Sequence, residues 1–321
     1  MPEPKVAVLV PCYNEELTVK KVIEDFRASL PEAEIYIYDN NSSDRTAQIV
    51  LDYINNNADS KVFLRKEFRQ GKGFVVQSMF AEIDADIYVM TDGNDTYPAE
   101  QARELIESVI KYKCDMCVGD RLTNGTYSKE NKRPAHDFGN KLVRFLINFF
   151  FKAKLHDIMS GYRAFSKRFV KNYPVLSKGF EIETEMTLHA LDRGFNIREV
   201  PIEYRDRPEG SVSKLNTITD GFLVLFTIGA ICKDYHPLKF FGLIGALLTL
   251  IGLMCGWPVI SEFIAARYIT HVPLAVLAAA IMIIALLTFA CGIILNSVAK
   301  NDKKSYALRL LDYDSANHKA G

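Results

Sequence analysis

The chain has 321 residues, of which 24% are charged, and its 39 basic and 39 acidic side chains give a formal net charge of zero at pH 7. This balance excludes the basic surface that nucleic-acid-binding proteins present, so no nucleic-acid partner is expected. The length suits one large domain with an appendage. The first apolar run, residues 6–10, is too short for the apolar core of a signal peptide, so none is expected.

Short apolar runs alternate with helical patterns over the first 120 residues. This alternation predicts an α/β fold, in which helices flank a mostly parallel sheet. Four helices are predicted. The first runs from the turn at 11–15 to about residue 30, the second covers about 44–56, the third runs from the glycine turn at 70–73 to about 83, and the fourth covers 99–111. Strands are predicted at residues 6–10, 35–39, 62–65, 86–90 and 116–119.

Polar residues follow three of these strands, at positions 11–15, 39–41 and 92–95. The carboxyl ends of parallel strands share one edge of a sheet, so these segments are expected to line one nucleotide cleft. A carboxylate such as Asp39 accepts hydrogen bonds from a base N–H or from ribose hydroxyls, and Tyr13 offers a stacking face.

The run at residues 91–98 indicates chemistry most directly. Asp92, Asn94 and Asp95 follow a buried apolar strand, and hard oxygen ligands at that position suit Mg²⁺ or Mn²⁺. Such a metal would neutralise the phosphates of a ligand. An acidic turn in which Asp95 caps the next helix is the alternative.

The glycine turn at residues 70–73 carries one lysine, Lys72. The full spacing of a P-loop is absent, so the turn is not a phosphate-binding loop of that class. Lys72 is nevertheless expected to reach a diphosphate bound at the same edge.

The second half of the chain contains three further helical patterns. Residues 141–152 carry aromatic side chains between basic ends, which fits either a helix in a membrane interface or one packed on the sheet. Residues 181–193 end at Gly194, and their glutamates favour a helix N-terminus. Residues 215–231 form a second interfacial candidate. The histidines are expected to be structural.

Two nearly charge-free stretches, residues 238–260 and 272–298, each exceed the roughly 20 residues that a helix needs to cross a bilayer. They predict two transmembrane helices, with a buried core hairpin as the alternative. Lysines on both outer flanks place the large domain in the cytoplasm, with the loop from Glu262 to His271 outside. The expected division is 1–214 for the cytoplasmic domain, 215–236 for an interfacial helix, 237–299 for the hairpin and 300–321 for a cytoplasmic tail.

The six cysteines are scattered along the chain. Cys114 and Cys117 form a single CxxC pair without a second pair or a histidine in metal-ligand spacing. Reduced, partly buried thiols are therefore expected rather than a metal or redox centre.

Five motifs occur in order along the chain: PCYNE at 11–15, DNNSSDRT at 39–46, the run at Asp92, DIMSGYR at 157–163 and RPEGSVSK at 207–214. Together they resemble the motifs of family 2 glycosyltransferases, in the branch that transfers a sugar from a nucleotide to a polyprenyl phosphate. The resemblance covers residues 5–215. It implies a Rossmann-like domain of the A-type glycosyltransferase fold, followed by interfacial helices and two transmembrane helices.

The resemblance also implies a donor site. Asp92 matches the first acid of a metal-binding D-x-D motif, but Asn94 stands where the second acid is expected. Because an amide is a weaker metal ligand, either Asp95 or the donor diphosphate would complete the coordination. The expected nucleotide-sugar contacts are Pro11, Tyr13, Glu15, Asp39, Lys72, Asp92, Gly93 and Asn94.

The acceptor site is expected to be rich in arginine. A phosphate monoester is mostly a dianion at neutral pH, so it needs little help from a general base. Asp157 would then orient an arginine or the acceptor, and Asp92, Asp157 and Arg163 are the candidate catalytic residues; Glu183 resembles a recurring family glutamate. The expected acceptor-phosphate contacts are Arg121, Arg133, Asn140, Arg163, Arg207 and Lys214.

The expected reaction is inverting transfer of glucose or an N-acetylhexosamine from a uridine donor to undecaprenyl phosphate at the cytoplasmic face of the inner membrane. A mannose synthase using a guanosine donor, a transferase acting on a glycan or lipid hydroxyl, and a non-catalytic membrane scaffold are the alternatives. The expected partners are the nucleotide sugar, the polyprenyl phosphate and membrane lipids. The sequence leaves homo-oligomer formation open.

Overall fold

The computed structural model describes residues 3–58, 61–124, 134–179, 181–205, 229 and 233–320. The chain divides into two units, Met1–Asp220 and Gly221–Gly321. The first contains the sheet and the site residues, and the second contains two long helices. Each is described by itself.

One sheet organises the described part of the first unit. Six of its seven strands run parallel to one another, and only β6 is antiparallel to its neighbours β4 and β5. The strands are β1 (Val6–Cys12), β2 (Glu34–Asp39), β3 (Val62–Lys66), β4 (Ile87–Met90), β5 (Met116–Asp120), β6 (Arg163–Ser166) and β7 (Ile197–Pro201). Their order is β3-β2-β1-β4-β6-β5-β7.

Helices cover the sheet and connect its parallel strands. Within the described residues of the first unit they are α1 (Val19–Ser29), α2 (Thr46–Asn56), α3 (Lys72–Glu82), α4 (Ala102–Tyr112), α5 (Pro134–Phe151), α6 (Lys167–Asn172) and α7 (Ile182–Arg193). A single 3₁₀ turn, Ala99–Gln101, precedes α4.

The core lies on both faces of the central strands. Residues 7–10 of β1 are fully buried, which explains their continuous apolar run, because a central parallel strand is covered on both sides. The helix α1 buries Val19, Ile23 and Phe26, whose spacing places them on one side of a helix. This packing fixes the strand ends that carry the polar segments.

The five predicted strands are confirmed, with shifted ends, and β6 and β7 are additions. β1 runs to Cys12, two residues further than predicted, and Cys12 pairs in register with Asp39. β6 was not predicted because it has only four residues and begins with an arginine. The antiparallel insertion makes the sheet mixed rather than purely parallel.

Helix α5 starts earlier than predicted. Val143 and Ile147 are buried, whereas Phe145 and Phe149 are largely exposed. The helix therefore buries one side and leaves aromatic rings exposed on the other, and its contact with a membrane stays a prediction. The second interfacial candidate, 215–231, lies outside the described residues except for residue 229.

The second unit contains two helices long and apolar enough to cross a membrane, α8 (Pro237–Ala266) and α9 (Val272–Ala320). Glu262 lies inside α8 rather than in the loop, and its Oε2 is 3.2 Å from His271 Nδ1. The charged segment after residue 299 continues α9 as a helix.

Candidate active site at the carboxyl edge of the sheet

The polar segments that follow β1, β2 and β4 meet at one edge of the sheet. The register places Cys12 beside Asp39, and the Thr91 N–H donates to the carbonyl of Leu9 at 3.0 Å. Asp39 is almost fully buried, whereas the Asp92 carboxylate is 26% exposed. The predicted convergence of these segments is therefore present in the structure.

The turn after β1 is tied to the start of α2 by side-chain hydrogen bonds. The Asn14 N–H donates to Ser42 Oγ at 2.9 Å, and the Glu15 N–H donates to Thr46 Oγ1 at 2.8 Å. Thr18 Oγ1 donates to the carbonyl of Gly93 at 2.6 Å. The serine and threonine positions of the 39–46 motif thus hold the loop that carries Tyr13, which is partly exposed at the edge.

The end of β2 positions the turn that carries Lys72. The Asn40 amide donates to the carbonyls of Glu67 and Arg69 at 3.0 and 2.8 Å, and its Oδ1 accepts from the Gly71 N–H at 2.8 Å. Asn40 therefore links the strand to the first turn of α3. Gly71 has a φ of +135°, which favours glycine.

Lys72 lies between two carboxylates. Its Nζ is 2.6 Å from Asp92 Oδ1 and 2.5 Å from Glu183 Oε1, and its side chain is 9% exposed. Burial by itself would lower the pKa of Lys72, but the two carboxylates raise it above its ordinary value, so the lysine is charged. Lys72 and Glu183 are 111 residues apart in sequence.

A glycine bounds this cluster on one side. A Cβ at Gly161 would lie 3.1 Å from Asp92 Oδ2 and 3.3 Å from Lys72 Nζ. The backbone before β6 therefore lies close to the Asp92–Lys72 pair, and a methyl group at residue 161 would be in steric conflict with this pair. This gives Gly161 of the 157–163 motif a steric role.

Asn94 and Asp95, the other expected metal ligands, are engaged elsewhere. Asn94 Oδ1 accepts from the Thr96 N–H at 3.2 Å and from Thr96 Oγ1 at 2.7 Å. The Asp95 carboxylate is 2.9 Å from Lys21 Nζ, and its residue has a φ of +58°. Each of these side chains therefore has a protein partner in the structure, and their roles as metal ligands stay predictions, as does that of Asp92.

A metal bound to Asp92 would fit the chemistry of Mg²⁺ or Mn²⁺. These hard cations are often held by one or two carboxylates together with substrate phosphates. With Asn94 and Asp95 engaged elsewhere, the residues fit a cation that a ligand's diphosphate coordinates in large part.

The second charged pair of the site joins Arg121 to Asp157. The guanidinium is bidentate, with Nε 2.7 Å from Asp157 Oδ2 and Nη2 2.9 Å from Oδ1. The Asp157 carboxylate is only 3% exposed. Burial alone would raise the pKa of Asp157, but the Arg121 guanidinium holds it below its ordinary value. Asp157 is thus an ionised partner for an arginine, as expected.

Tyr97 connects this pair to the Asp92 cluster. Its hydroxyl accepts from the Gly161 N–H at 3.0 Å and from Arg121 Nη1 at 3.4 Å. Its ring stacks on Tyr162 with a centroid separation of 5.1 Å. Sequence reasoning missed Tyr97, although its place five residues after Asp92 was a usable signal.

The expected contact of Arg163 with the acceptor phosphate is corrected by the structure. Arg163 is fully buried, and its guanidinium donates to the carbonyls of Ser160 and Ile158 at 2.8 and 2.6 Å and to Thr187 Oγ1 at 2.9 Å. Burial lowers the pKa of Arg163. The side chain therefore stabilises the 157–161 loop through its backbone carbonyls and is too buried to contact a ligand.

Arg121 is described, and its guanidinium binds Asp157, so its contact with an acceptor phosphate stays a prediction. The remaining expected acceptor residues lie where their side chains are not described. Arg133, Arg207 and Lys214 lie outside the described residues, and only the backbone of Asn140, within α5, is described. Their contacts with an acceptor remain predictions.

A third cluster lies beside the Arg121–Asp157 pair. His156 Nδ1 is 3.5 Å from Asp120 Oδ2 and 3.6 Å from Glu199 Oε2. Glu199 Oε1 accepts from the backbone N–H groups of His156 and Asp157, and Asp120 Oδ1 accepts from the Leu122 N–H. These acids thus hold the loops around Asp157. The described cysteines Cys114 and Cys117 are buried free thiols, as expected.

The fold and site together define a class: an α/β domain that gathers acidic side chains and a lysine at the carboxyl edge of β1, β2 and β4, where open sheets bind nucleotides. The model of glycosyl transferase family 2 matches residues 7–173, which is more than half of the chain. The chain belongs to this family, and the resemblance noted from its motifs is confirmed.

Three relatives cover most of the chain. Glycosyltransferase AglJ of Haloferax volcanii is 32% identical over 285 residues, 87% of this chain and 89% of the relative. A dolichyl-phosphate hexose transferase of the same organism is 29% identical over 71% of this chain and 94% of its own length. Polyprenol monophosphomannose synthase of Mycolicibacterium smegmatis is 24% identical over 67% and 82%.

The fold also occurs in a solved structure. Glucosyl-3-phosphoglycerate synthase from Mycobacterium tuberculosis, in complex with uridine diphosphate, aligns with a TM-score of 0.55 and 16% identity, over 72% of this chain and 80% of that one. This similarity supports the expected A-type glycosyltransferase fold.

Proposed function

We propose that this glycosyltransferase moves a hexose from a nucleotide sugar to the phosphate of a polyprenyl phosphate. Two relatives carry names that specify this kind of acceptor, the dolichyl-phosphate hexose transferase and the polyprenol monophosphomannose synthase. The motifs at 157–163 and 207–214 resemble the same branch of the family.

The observation that carries the proposal is the pairing of the acids around the site. Asp92 and Glu183 both pair with Lys72, and Asp157 is held in a bidentate pair by Arg121. A sugar or lipid hydroxyl would need a general base to remove its proton. A phosphate dianion needs none, so a site whose acids are engaged with cations suits a phosphate acceptor.

The donor half of the proposed site lies around Asp39 and Asp92. Asp39 and Tyr13 would bind the nucleoside, with Pro11, Glu15 and Gly93 forming the walls of its pocket. Lys72 would face the diphosphate, and Asp92 would hold Mg²⁺ or Mn²⁺. When bound, that cation supplies positive charge for the departing nucleoside diphosphate.

Basic side chains would gather the acceptor phosphate, since two anionic groups must approach each other. Arg133, Arg207 and Lys214 are proposed for this role, and Arg121 is proposed to orient the site through Asp157. In-line attack by the acceptor oxygen on the anomeric carbon, on the side opposite the leaving diphosphate, would invert its configuration.

The proposed donors are uridine diphosphate glucose and uridine diphosphate N-acetylhexosamines. Guanosine diphosphate mannose is the second candidate, and the name of the Mycolicibacterium relative favours it. In the proposed topology α8 and α9 span the inner membrane, and the lysines outside them keep the glycosyltransferase domain in the cytoplasm.

Transfer assays with matched acceptors test the proposal. The full chain in detergent is incubated with each radiolabelled nucleotide sugar and Mg²⁺ or Mn²⁺, together with undecaprenyl phosphate or with undecaprenol, which lacks the phosphate. We expect labelled lipid from undecaprenyl phosphate and none from the alcohol. Transfer to the alcohol at a similar rate would indicate a hydroxyl acceptor, and absence of any transfer would overturn the proposal.

A further inference from the structure

We propose that Lys72 is a resident counter-cation of Asp92, held in place by Glu183, which keeps a divalent metal from binding until a nucleotide diphosphate arrives. The proposal rests on the proposed function for the identity of the ligand. It assigns new roles to Lys72 and Glu183: Lys72 would couple metal binding to donor binding, and Glu183 would be a positioning residue that acts through Lys72.

The contacts of Lys72 support this role. Its ammonium lies 2.6 Å from Asp92 Oδ1, so one carboxylate oxygen already has a cation at contact distance. A divalent metal that approached the same carboxylate would be repelled by this ammonium at close range. The backbone of Gly161 lies close to the pair, since a Cβ there would be 3.1 Å from Asp92 Oδ2 and 3.3 Å from Lys72 Nζ.

Glu183 explains why the ammonium stays at Asp92. It is 6% exposed, lies in the first turn of α7 and contacts Lys72 Nζ directly. One lysine between two carboxylates leaves the cluster with excess negative charge. This charge favours binding of a further cation once phosphate oxygens also coordinate that cation. A bound diphosphate would attract Lys72 away from Asp92 and would supply oxygen ligands to the metal, so the two ligands would bind cooperatively.

The chemistry of lysine suits an exchangeable partner. An ammonium is a compact charge on a flexible stem, so it can leave one oxygen for another without a fixed geometry. The bidentate Arg121–Asp157 pair is bound by directional contacts and lacks this freedom.

Manganese binding to the nucleotide-free protein tests the proposal. Free Mn²⁺ is measured by electron paramagnetic resonance during titration of the full chain in detergent, without nucleotide. We expect Lys72→Met to bind Mn²⁺ about tenfold more tightly than wild type, the size of a typical coupling between sites. In the same variant, uridine or guanosine diphosphate should enhance Mn²⁺ binding less than in wild type.

Lys21→Met is the matched control, because Lys21 pairs with Asp95 in the same acidic run at 2.9 Å. It should leave Mn²⁺ binding within about twofold of wild type, since Lys21 is 52% exposed and its charge is screened by solvent. An equal increase in both variants would indicate a general charge effect and would overturn the proposal, as would unchanged or weaker Mn²⁺ binding in a folded Lys72→Met variant.

Removal of Lys72 alone leaves Glu183 buried without its lysine partner and can prevent folding. The double variant Lys72→Met/Glu183→Gln avoids this, and it should bind Mn²⁺ more tightly than the single Glu183→Gln variant, in which Lys72 still pairs with Asp92. Equal binding by these two variants would overturn the proposal. Because Mn²⁺ binding is measured without transfer, a failure of the proposed function would leave this result unaffected.

Discussion

Asp92 and Asp157 each face a basic side chain, but the two pairs differ in geometry and exposure. Asp92 shares one oxygen with a lysine that also contacts Glu183, and its carboxylate is 26% exposed. Asp157 binds an arginine through both oxygens and is 3% exposed. The first arrangement can exchange its partner for a ligand, whereas the second is fixed by directional contacts in a dry environment.

Acids in one site can therefore have separate roles. Asp92 is the proposed partner of a bound cation, so its substitution should affect catalysis more than folding. Asp157 binds Arg121 and lies in the loop before β6, so loss of this ion pair should lower the free energy of unfolding strongly. Four experiments test or refine this distinction.

The largest effect is expected for Asp92→Asn. Loss of the carboxylate charge at the donor diphosphate should reduce transfer by about 10²- to 10³-fold, as for other electrostatic groups at a reacting centre. Thermal unfolding should change little. The measurement is the initial rate of labelled sugar transfer to undecaprenyl phosphate, with Asp84→Asn as control, since Asp84 is 72% exposed. Near wild-type transfer by Asp92→Asn would contradict the assignment.

Arg121→Ala should destabilise the protein by about 3–5 kcal/mol, because it leaves the buried Asp157 carboxylate without its cation. Arg103→Ala removes an exposed ion pair with Glu32 and should cost about 0.5 kcal/mol. Urea unfolding of the full chain in detergent, followed by circular dichroism, measures both. Similar losses of unfolding free energy in the two variants would mean that the Arg121–Asp157 pair contributes no more stability than a surface pair.

A smaller effect is expected for Gly161→Ala. The added Cβ would lie 3.1 Å from Asp92 Oδ2, so the Asp92–Lys72 pair must shift by a few tenths of an ångström. We expect the donor KM to rise about tenfold, since small displacements at a reacting centre are costly. Gly256→Ala is the matched control, because its Cβ would make an ordinary 3.7 Å contact with Ala278. An unchanged KM would show that the pair tolerates displacement.

The smallest effect concerns pH. Arg121 holds the pKa of Asp157 below its ordinary value of 3.8, so the ionised carboxylate contributes stability above that value. This contribution is lost as pH falls through the lowered pKa. The difference in unfolding free energy between wild type and Asp157→Asn should therefore be largest near neutral pH and should narrow below pH 3.8. Urea titrations from pH 7 to pH 3 measure it, and a constant difference would contradict the proposed ion pair.

Much of the fold could be predicted because its signals are local. The apolar runs of β1 to β5 and the spacing of buried residues in α1 can be read within a few residues. The polar segments after the strands could be placed at one edge because parallel strands end together. The short antiparallel β6 carried no such signal, since its four residues include the buried Arg163.

The roles of the charged residues were harder to predict. From the sequence alone, an arginine is as compatible with a phosphate as with backbone carbonyls, and only burial distinguishes the two for Arg163. The position of Asp95 after β4 predicts a metal ligand, and only the structure shows that Lys21 of α1 contacts its carboxylate. Tyr97 joins two clusters through a hydroxyl whose partners come from separate parts of the chain.

The α/β class, the edge where the site lies, the family and the two long apolar helices can be predicted from the amino-acid sequence, because each follows from periodicity, length or motif order. Which charges meet can be read only from the folded chain: Lys72 meets Glu183 across 111 residues, and Arg121 meets Asp157 across 36. The physical reason is that a charge's partner and its exposure depend on which distant segments fold together, and residue types along the chain do not specify this.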